Sequence, residues 1–528
     1  MSLTKRNQEK RKDRKKLRKI KKQVQGITLI ALVVTIIVLI ILAGVSIAML
    51  IGENGIITQA QRAKENTELA QEEEQKNLNS IVNKMEEIAQ ASNSIDIVPK
   101  LTQGMIPVKY VNGTGWVRTE ATDSGWYNYE EKLWANVVLV GENGKDADGD
   151  EDIFDSNGVL NENSNYSMLV WIPRYAYKIR TQYHTKGTTA GEIDIVFIDT
   201  GNRGKDGKTT YSTLYPSATI GGGMSDYVVH PAFHYGDTEI EGFWVGKFET
   251  SNTKGYGDTS TANTTDLIAQ IKAGVTSWRC IRVTNIFTVC TELNREGNPY
   301  GLNSSDSIVD PHMIKSSEWG AVAYLSQSKD YGKGSEVWIN NSSNYITGSV
   351  GNNLNAGADE GSINDYKQAG NASTTGNITG IYDMSGGAWE YVAGYVNNDY
   401  IQNGTPYTYA QNLIDTVNAG NVKYADVYKI GSSDSRESNY EMTQPKEEQD
   451  VETSANGNYG DAVYESSSNG IDANGWNSDY SGFAYSNYPI LLYGGKYSDG
   501  VNSGIFAFGN SDGLSDAPYG FRTVMTVL

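Results

Sequence analysis

From Ile27 to Ile51 the chain runs 25 residues with no charge and no proline. As a helix rising about 1.5 Å per residue, such a run spans about 37 Å, enough for a hydrocarbon core of about 30 Å. A buried soluble helix would show a polar stripe, and a cleaved secretory signal would have an apolar region of only about 7–15 residues. The pattern therefore predicts a transmembrane helix over 27–51. A dense basic block, Lys5 to Lys22, precedes it. By the positive-inside rule that block stays in the cytoplasm and the chain beyond Ile51 lies outside the cell. After the turn signal Gly52-Glu53-Asn54-Gly55, apolar residues recur at helical spacing: Leu78, Ile81, Val82, Met85, Ile88 and Ala89. Residues 52–94 read as an amphipathic helix that Asn93 and Pro99 end.

From Ile95 the texture changes to short apolar runs broken by Gly, Asn and Asp. Met105–Val111, Gly115–Arg118, Trp134–Val140 and Met168–Ile179 read as strands. Trp126-Tyr127-Asn128-Tyr129 followed by Trp134-Ala135-Asn136 reads as a small hairpin. Residues 95–160 are assigned to a β-rich neck and 161–528 to one large domain. Helices are few. Val283, Ile286, Phe287, Cys290 and Leu293 share one helical face. Trp319, Val322, Ala323 and Tyr324 share another, with Ser316 or Ser317 as N-cap. Residues 431–482 are rich in Ser, Asn, Gly, Asp and Glu and read as a long loop. The fold class is α+β.

Composition narrows the chemistry. Of 528 residues only two are Cys and four His, which excludes a disulfide-stapled scaffold and a multi-cysteine metal centre. The net charge of −19 argues against nucleic acid as a partner. That sum hides a split. Residues 1–26 hold twelve basic and two acidic side chains, leaving 32 basic against 61 acidic in the remainder. Cys290 lies on an apolar helix face and reads as a buried hydrophobe. A Cys280–Cys290 disulfide is left open. Asp146-Ala147-Asp148-Gly149-Asp150-Glu151-Asp152 has alternate carboxylates that could wrap a calcium ion. An EF-hand starting at Asp146 would need Gly at Glu151 and Glu at Asn157, so a solvated acidic loop is the favoured reading.

Gln25-Gly26-Ile27-Thr28-Leu29-Ile30 places a single glycine between the basic block and the apolar run. This resembles the prepilin signal of type IV pilins and pseudopilins. The resemblance implies cleavage between Gly26 and Ile27 and makes pilus subunits possible partners. Ile27 stands where the family usually has Phe or Met. Ala31 stands where it usually has the Glu that registers subunits in a filament, which weighs against assembly more than against cleavage.

Further along, Gly376-Asn377-Ile378-Thr379-Gly380-Ile381-Tyr382-Asp383-Met384-Ser385-Gly386-Gly387-Ala388-Trp389-Glu390-Tyr391 resembles the signature of the formylglycine-generating (sulfatase-modifying) enzyme family. Four more pieces agree in order. They are Gly242-Phe243-Trp244-Val245-Gly246-Lys247-Phe248-Glu249-Thr250-Ser251-Asn252, Ser316–Tyr324, Gly494-Gly495-Lys496-Tyr497 and Gly520-Phe521-Arg522. The resemblance covers roughly 285 residues. It implies a C-type lectin-like fold, loop-rich, with a terminal strand pair and two helices. It also implies a calcium role for Glu390, weakened because the family's preceding asparagine is Gly387 here. Otherwise Tyr382, Met384, Trp389 and Tyr391 make a core hairpin about the Gly386-Gly387 bend, with Glu390 a buried acceptor. Family oxidases bind copper(I) through a C-terminal cysteine pair. No cysteine lies from Gly494 to Leu528, and Thr523 follows Gly520-Phe521-Arg522 where many members carry Cys. The chain is therefore read as no enzyme and as needing no cofactor, with calcium at Glu390 left open.

The C-terminal segment also resembles the hypervariable ligand-binding proteins of diversity-generating retroelements. That likeness rests on Gly494-Gly495-Lys496-Tyr497-Ser498-Asp499-Gly500, Gly504-Ile505-Phe506-Ala507-Phe508 and Gly520-Phe521-Arg522. It implies ligand contacts at Tyr497, Ser498, Asp499, Asn502, Phe508, Asn510, Ser511, Asp512 and Asp516. Tyr supplies rigid amphipathic area and Ser and Asn adaptable hydrogen bonds. The expected function is a membrane-anchored or pilin-like cell-surface protein. Its inert lectin-like domain would bind an extracellular glycan or protein. A structural pseudopilin and a degenerate modifying enzyme are the alternatives.

Overall fold

The computed structural model describes residues 33–37, 98–258, 260–302, 309–354, 361–397, 408–429, 459–470, 472–485 and 487–528. The leader at 1–26, the helix at 52–94 and most of the 27–51 span lie outside these residues. Val33–Ile37 is helical and exposed. Among the described residues no helix is long and apolar enough to cross a membrane. The chain divides into two compact units, Met1–Glu86 and Glu87–Leu528. All described residues from 98 onward belong to the second unit.

That unit is β-rich with few helices. The strands are β1 (Met105–Val111), β2 (Gly115–Arg118), β3 (Asn136–Leu139), β4 (Ser167–Pro173), β5 (Tyr175–Ile179), β6 (Ile193–Phe197) and β7 (Val228–Val229). Next come β8 (His234–Tyr235), β9 (Thr238–Glu239), β10 (Gly242–Gly246), β11 (Ser251–Asn252), β12 (Ala269–Gln270) and β13 (Val309–Met313). The last are β14 (Trp389–Asn397), β15 (Asp426–Lys429), β16 (Ile490–Gly494), β17 (Gly504–Ser511), β18 (Tyr519–Phe521) and β19 (Thr523–Val527). Its longer α-helices are α1 (Val283–Thr291), α2 (Ser316–Gln327) and α3 (Gln411–Asn418).

An antiparallel seven-stranded sheet runs in the order β13-β19-β10-β4-β3-β1-β2. Its middle strands are almost wholly apolar because both faces are covered: β4 and β10 are buried at every residue. This sheet corrects the expected boundary near residue 160. Asn136–Leu139 pairs with Ser167–Val170, so the strands assigned to a separate neck complete the body's own sheet. The predicted strand Met168–Ile179 is also two strands. The chain leaves the large sheet at Arg174 and enters the three-stranded sheet β6-β5-β7. Arg174 is buried at that corner, held by Phe233 O at 2.9 Å, Asn202 Oδ1 at 2.6 Å and Glu239 at 2.5 Å.

A five-stranded sheet, β15-β14-β16-β17 with β18 beside β14, carries the C-terminal region. β14 pairs in parallel with β15 and β18 and antiparallel with β16. Arg522, between β18 and β19, is where the chain passes from this sheet to the seven-stranded one.

The two predicted helices form where the apolar spacing put them. Val283, Ile286, Phe287, Cys290 and Leu293 are all buried. The cap of α2 differs from the expected serine. Lys315 is the N-cap, and its N–H donates to Glu318 Oε2 at 2.9 Å, while Ser317 N donates to Asp426 Oδ2 at 2.6 Å. A partner strand therefore supplies the acceptor that a local serine was expected to provide. All twelve residues of α2 are buried, polar ones included.

The long loop expected over 431–482 is corrected in its second half. Residues 431–458 lie outside the described residues, but Asp461, Glu465, Trp476 and Asp479 are buried. Glu465 accepts from the hydroxyls of Tyr177, Tyr215 and Tyr324 at 2.8, 2.6 and 2.6 Å and from Gly460 N at 2.7 Å. Four donors on one carboxylate satisfy the desolvated group and tie this polar stretch to the body. Both cysteines are free. Cys290 is buried with its sulfur 3.5 Å from Thr523 Oγ1, and burial pushes its thiol up to about 12.

Candidate functional site

The segment 376–391 builds a platform rather than a reactive centre. Gly386 N donates to Gly494 O at 3.0 Å, and Gly387 N to Asn340 O at 2.7 Å. Ala388 N donates to Glu249 Oε1 at 2.8 Å. Gly387 has φ +67°, and a Cβ there would stand 2.2 Å from Glu249 Oε1. A Cβ at this left-handed position would press on the Glu249 carboxylate, which suits glycine to the bend.

Glu390 is corrected as a metal ligand. Its two oxygens are taken by Arg522, Oε2 from Nε at 3.0 Å and Oε1 from Nη2 at 2.5 Å, with both side chains fully buried. Bidentate guanidinium pairing leaves neither oxygen aimed at a cation. Glu249 and Asp383 are buried close by. Burial, and then the charges of Glu390 and Asp383, pushes the Glu249 carboxyl well above its ordinary value. Among the described residues no group of three or more His, Cys, Asp or Glu is placed to hold a metal ion.

The acidic loop at 146–152 closes on its own backbone. Asp146 is buried and accepts from Gly149 N and Asp150 N on Oδ1 and from Asn165 N on Oδ2, at 3.1, 3.3 and 2.9 Å. Burial raises its carboxyl, but the backbone donors outweigh that and hold it below the usual range. Asp146 is a turn-forming acceptor, not an open cation ligand.

The loop over the platform carries the expected contact residues. Tyr497 is half-buried, anchored by its N–H to Gly387 O at 2.9 Å, and its ring meets Tyr345 edge-on at 4.8 Å. Arg279 lies 3.7 Å over the Tyr345 ring and binds Ala517 O. Ser498 is exposed, and Asp499 and Asn502 are half-buried. Asp499 Oδ2 accepts from Trp389 Nε1 at 3.1 Å and from Lys496 N at 3.1 Å. Asn502 O accepts from Tyr480 N at 2.9 Å.

Two expected contact residues are corrected. Phe508 is fully buried and packs edge-on against Phe483 at 5.1 Å. Ser511 is buried, with its hydroxyl 2.8 Å from Tyr391 OH. Both are held inward by their partners, Phe483 against the ring and Tyr391 against the hydroxyl. Asn510 is half-buried and donates to Gly482 O and Phe483 O at 3.1 and 3.0 Å. Asp512 is half-buried and Asp516 exposed. Asp512 Oδ1 accepts from Leu514 N at 3.2 Å, and Asp516 Oδ1 from Ala517 N at 2.7 Å.

The structure adds residues that the motif comparison missed. Tyr519 pairs with Trp389 across parallel strands. Trp389 meets Tyr480 edge-on at 5.9 Å, and Tyr519 meets Tyr391 at 5.3 Å. Gly509 leaves room between Trp389 and Tyr480; a Cβ there would touch both rings at 3.5 to 3.8 Å. The Tyr519 phenol is held above its ordinary value by burial and then by Asp516, Asp512, Asp499 and Tyr480. These groups therefore converge on one face. Four separate stretches supply it: 389–391, 480, 497–502 and 509–519. Each stretch carries at least one aromatic residue, but nothing local in the sequence brings the stretches together.

No family model and no curated protein matches the chain. Among solved structures it is similar to Treponema denticola variable protein 1, at 11% identity and TM-score 0.25, over 69% of this chain and 97% of that one. It is also similar to the Major Tropism Determinant M1 variant, at 12% identity and TM-score 0.22, over 81% of this chain and 74% of that one. Likeness at this level assigns the chain to no family.

Proposed function

We propose that the chain is a cell-surface recognition protein: a C-type lectin-like body held at the membrane by residues 27–51, binding an extracellular partner through its C-terminal loops. The observation that carries this reading is the face on which Tyr497, Asp499, Asn502, Asn510, Asp512 and Asp516 gather beside Trp389, Tyr480 and Tyr519. Rigid rings ringed by adaptable polar groups are what protein recognition uses. Catalysis has little support. Cys290 is buried with a thiol raised to about 12, and burial raises the Cys280 thiol as well. Neither is the ready thiolate that copper(I) chemistry needs.

Arrays of glycans and surface proteins probed with the purified chain test the reading. Tyr497→Ala with Asp499→Ala is expected to remove the hits, and hits that survive both changes would place binding elsewhere. Cleavage after Gly26 and anchoring by 27–51 belong to the same proposal. Intact-mass measurement of membrane-extracted protein tests the former: a mass that includes residues 1–26 counts against it. Capture of pilus subunits with no array hit would favour the pseudopilin alternative.

A further inference from the structure

A groove of about 940 Å³ opens where β1, β2 and the stretches 151–163 and 365–368 meet. That volume falls in the range of small-molecule sites. None of its lining residues belongs to the C-terminal loops. Tyr110 and Phe154 line it as half-buried rings. Tyr110 stands edge-on to Trp116 at 5.5 Å, and its hydroxyl has no hydrogen-bond partner among the described residues. Acids make up much of the remaining wall, and each is held in place. Glu162 Oε2 accepts from Lys367 Nζ at 2.7 Å, and Asp152 pairs with Lys145 Nζ at 2.9 Å. Asp365 accepts from Lys367 N at 3.1 Å and from Gln368 Nε2 at 3.0 Å. Asp155 Oδ1 accepts from Asn157 N and Val159 N at 2.8 and 2.9 Å, and Glu151 Oε2 from Asn161 Nδ2 at 3.1 Å. Every one of these carboxylates keeps lone pairs to spare. The groove thus sets fixed acceptors and one free hydroxyl beside two rings. We propose that it is a second binding site, one that takes a neutral oligosaccharide. Sugar hydroxyls donate to the held carboxylates, while the C–H face of a sugar ring covers the amphipathic tyrosine. An acidic sugar would meet five carboxylates, and the lining cation, Lys367, is already paired. A basic peptide is drawn to the acidic body at large and has no need of the Tyr110 hydroxyl.

The full-length chain is titrated in solution with maltohexaose, cellohexaose, mannohexaose and chitohexaose, each taken to several millimolar and followed by calorimetry. Oligogalacturonate and penta-lysine are the charged companions. At least one neutral hexasaccharide is expected to bind, and more tightly than oligogalacturonate. Tyr110→Ala should weaken that saccharide about tenfold, the scale of losing an aromatic anchor. The same change strips Trp116 of a neighbour, so Tyr110→Phe is run beside it. Phenylalanine keeps the ring and should weaken binding about fivefold, the scale of one hydrogen bond. Penta-lysine should respond to neither change. No binding by any of the four, equal affinity in the Tyr110→Phe and parent chains, or tighter binding of oligogalacturonate overturns the proposal. A penta-lysine affinity that falls with Tyr110→Phe would make the groove a cation site instead. Loss of the saccharide with Tyr497→Ala and Asp499→Ala, but not with Tyr110→Ala, would move it to the C-terminal loops and also overturn the proposal. Because the two sites share no residue, array hits lost with the Tyr497 and Asp499 changes leave the groove untouched, and a groove that binds nothing leaves the C-terminal face standing.

Discussion

At the residue scale, the positions that looked most chemical turn out to be the most structural. Glu390 sits in the signature where a cation was expected, yet it answers Arg522 in a fully buried, bidentate pair. Removing one partner of such a pair strands the other charge in a low-dielectric site. Glu390→Gln is therefore expected to cost about 3–5 kcal/mol in urea unfolding. A loss within error of zero would mean that water reaches Arg522. Phe508 presents the converse lesson. It stands among candidate contact residues in sequence but is buried on Phe483. Phe508→Ala should cost about 3–5 kcal/mol. Near-parent stability with lost binding would instead return Phe508 to the recognition face.

At the scale of single elements, helical periodicity located α1 and α2, while their ends and their tolerance to change depend on neighbours. Gly320 lies inside α2. Helix propensity alone says that Gly→Ala there gains about 1 kcal/mol. Packing says the opposite: a Cβ at Gly320 would stand 1.9 Å from Gly460 O. Gly460 N is one of the donors that hold Glu465. Gly320→Ala should therefore lower the melting temperature and loosen the 459–482 stretch to proteolysis. A raised melting temperature would show that the backbone near 460 yields easily. The same contact explains why a polar stretch that reads as a loop is in fact packed. Its carboxylates find donors on β5 and α2, far away in sequence. Strand positions were more legible than helix caps: Met105–Val111 and Gly115–Arg118 match β1 and β2 residue for residue. The break at Arg174 was not legible, because its cause is a set of acceptors on Phe233, Asn202 and Glu239.

At the scale of the whole molecule, the acidic character of the chain reaches the interior. Burial pushes Asp461 up to about 7, and Asp479 and Glu249 well above their ordinary values. These groups hold protons when folded that the unfolded chain releases above about pH 4. Folding is then linked to proton uptake, and ∂ΔG/∂pH for unfolding is negative across that window. Their contribution is complete below about pH 4 and is lost as pH rises toward and through about 7. Urea midpoints should fall steadily between pH 5 and 8. A midpoint that rises over that range would mean that these carboxyls are ionised in the folded state.

The sequence by itself determined what depends on composition and local period. It established the uncharged run at 27–51, the strand texture after Ile95, the two helix faces, the lack of a C-terminal cysteine pair and the split of charge between leader and body. Each is a property of neighbours along the chain, where backbone geometry and side-chain spacing suffice. The tertiary structure alone decided which acids burial pushes up, that β1–β3 complete the body's sheet, and that Glu390 serves Arg522. It alone set Trp389, Tyr480 and Tyr519 beside Asp499, Asp512 and Asp516. Those facts depend on burial and on contacts between residues far apart along the chain. Local pattern carries no trace of such contacts, because desolvation and pairing exist only once the sheets have closed over them.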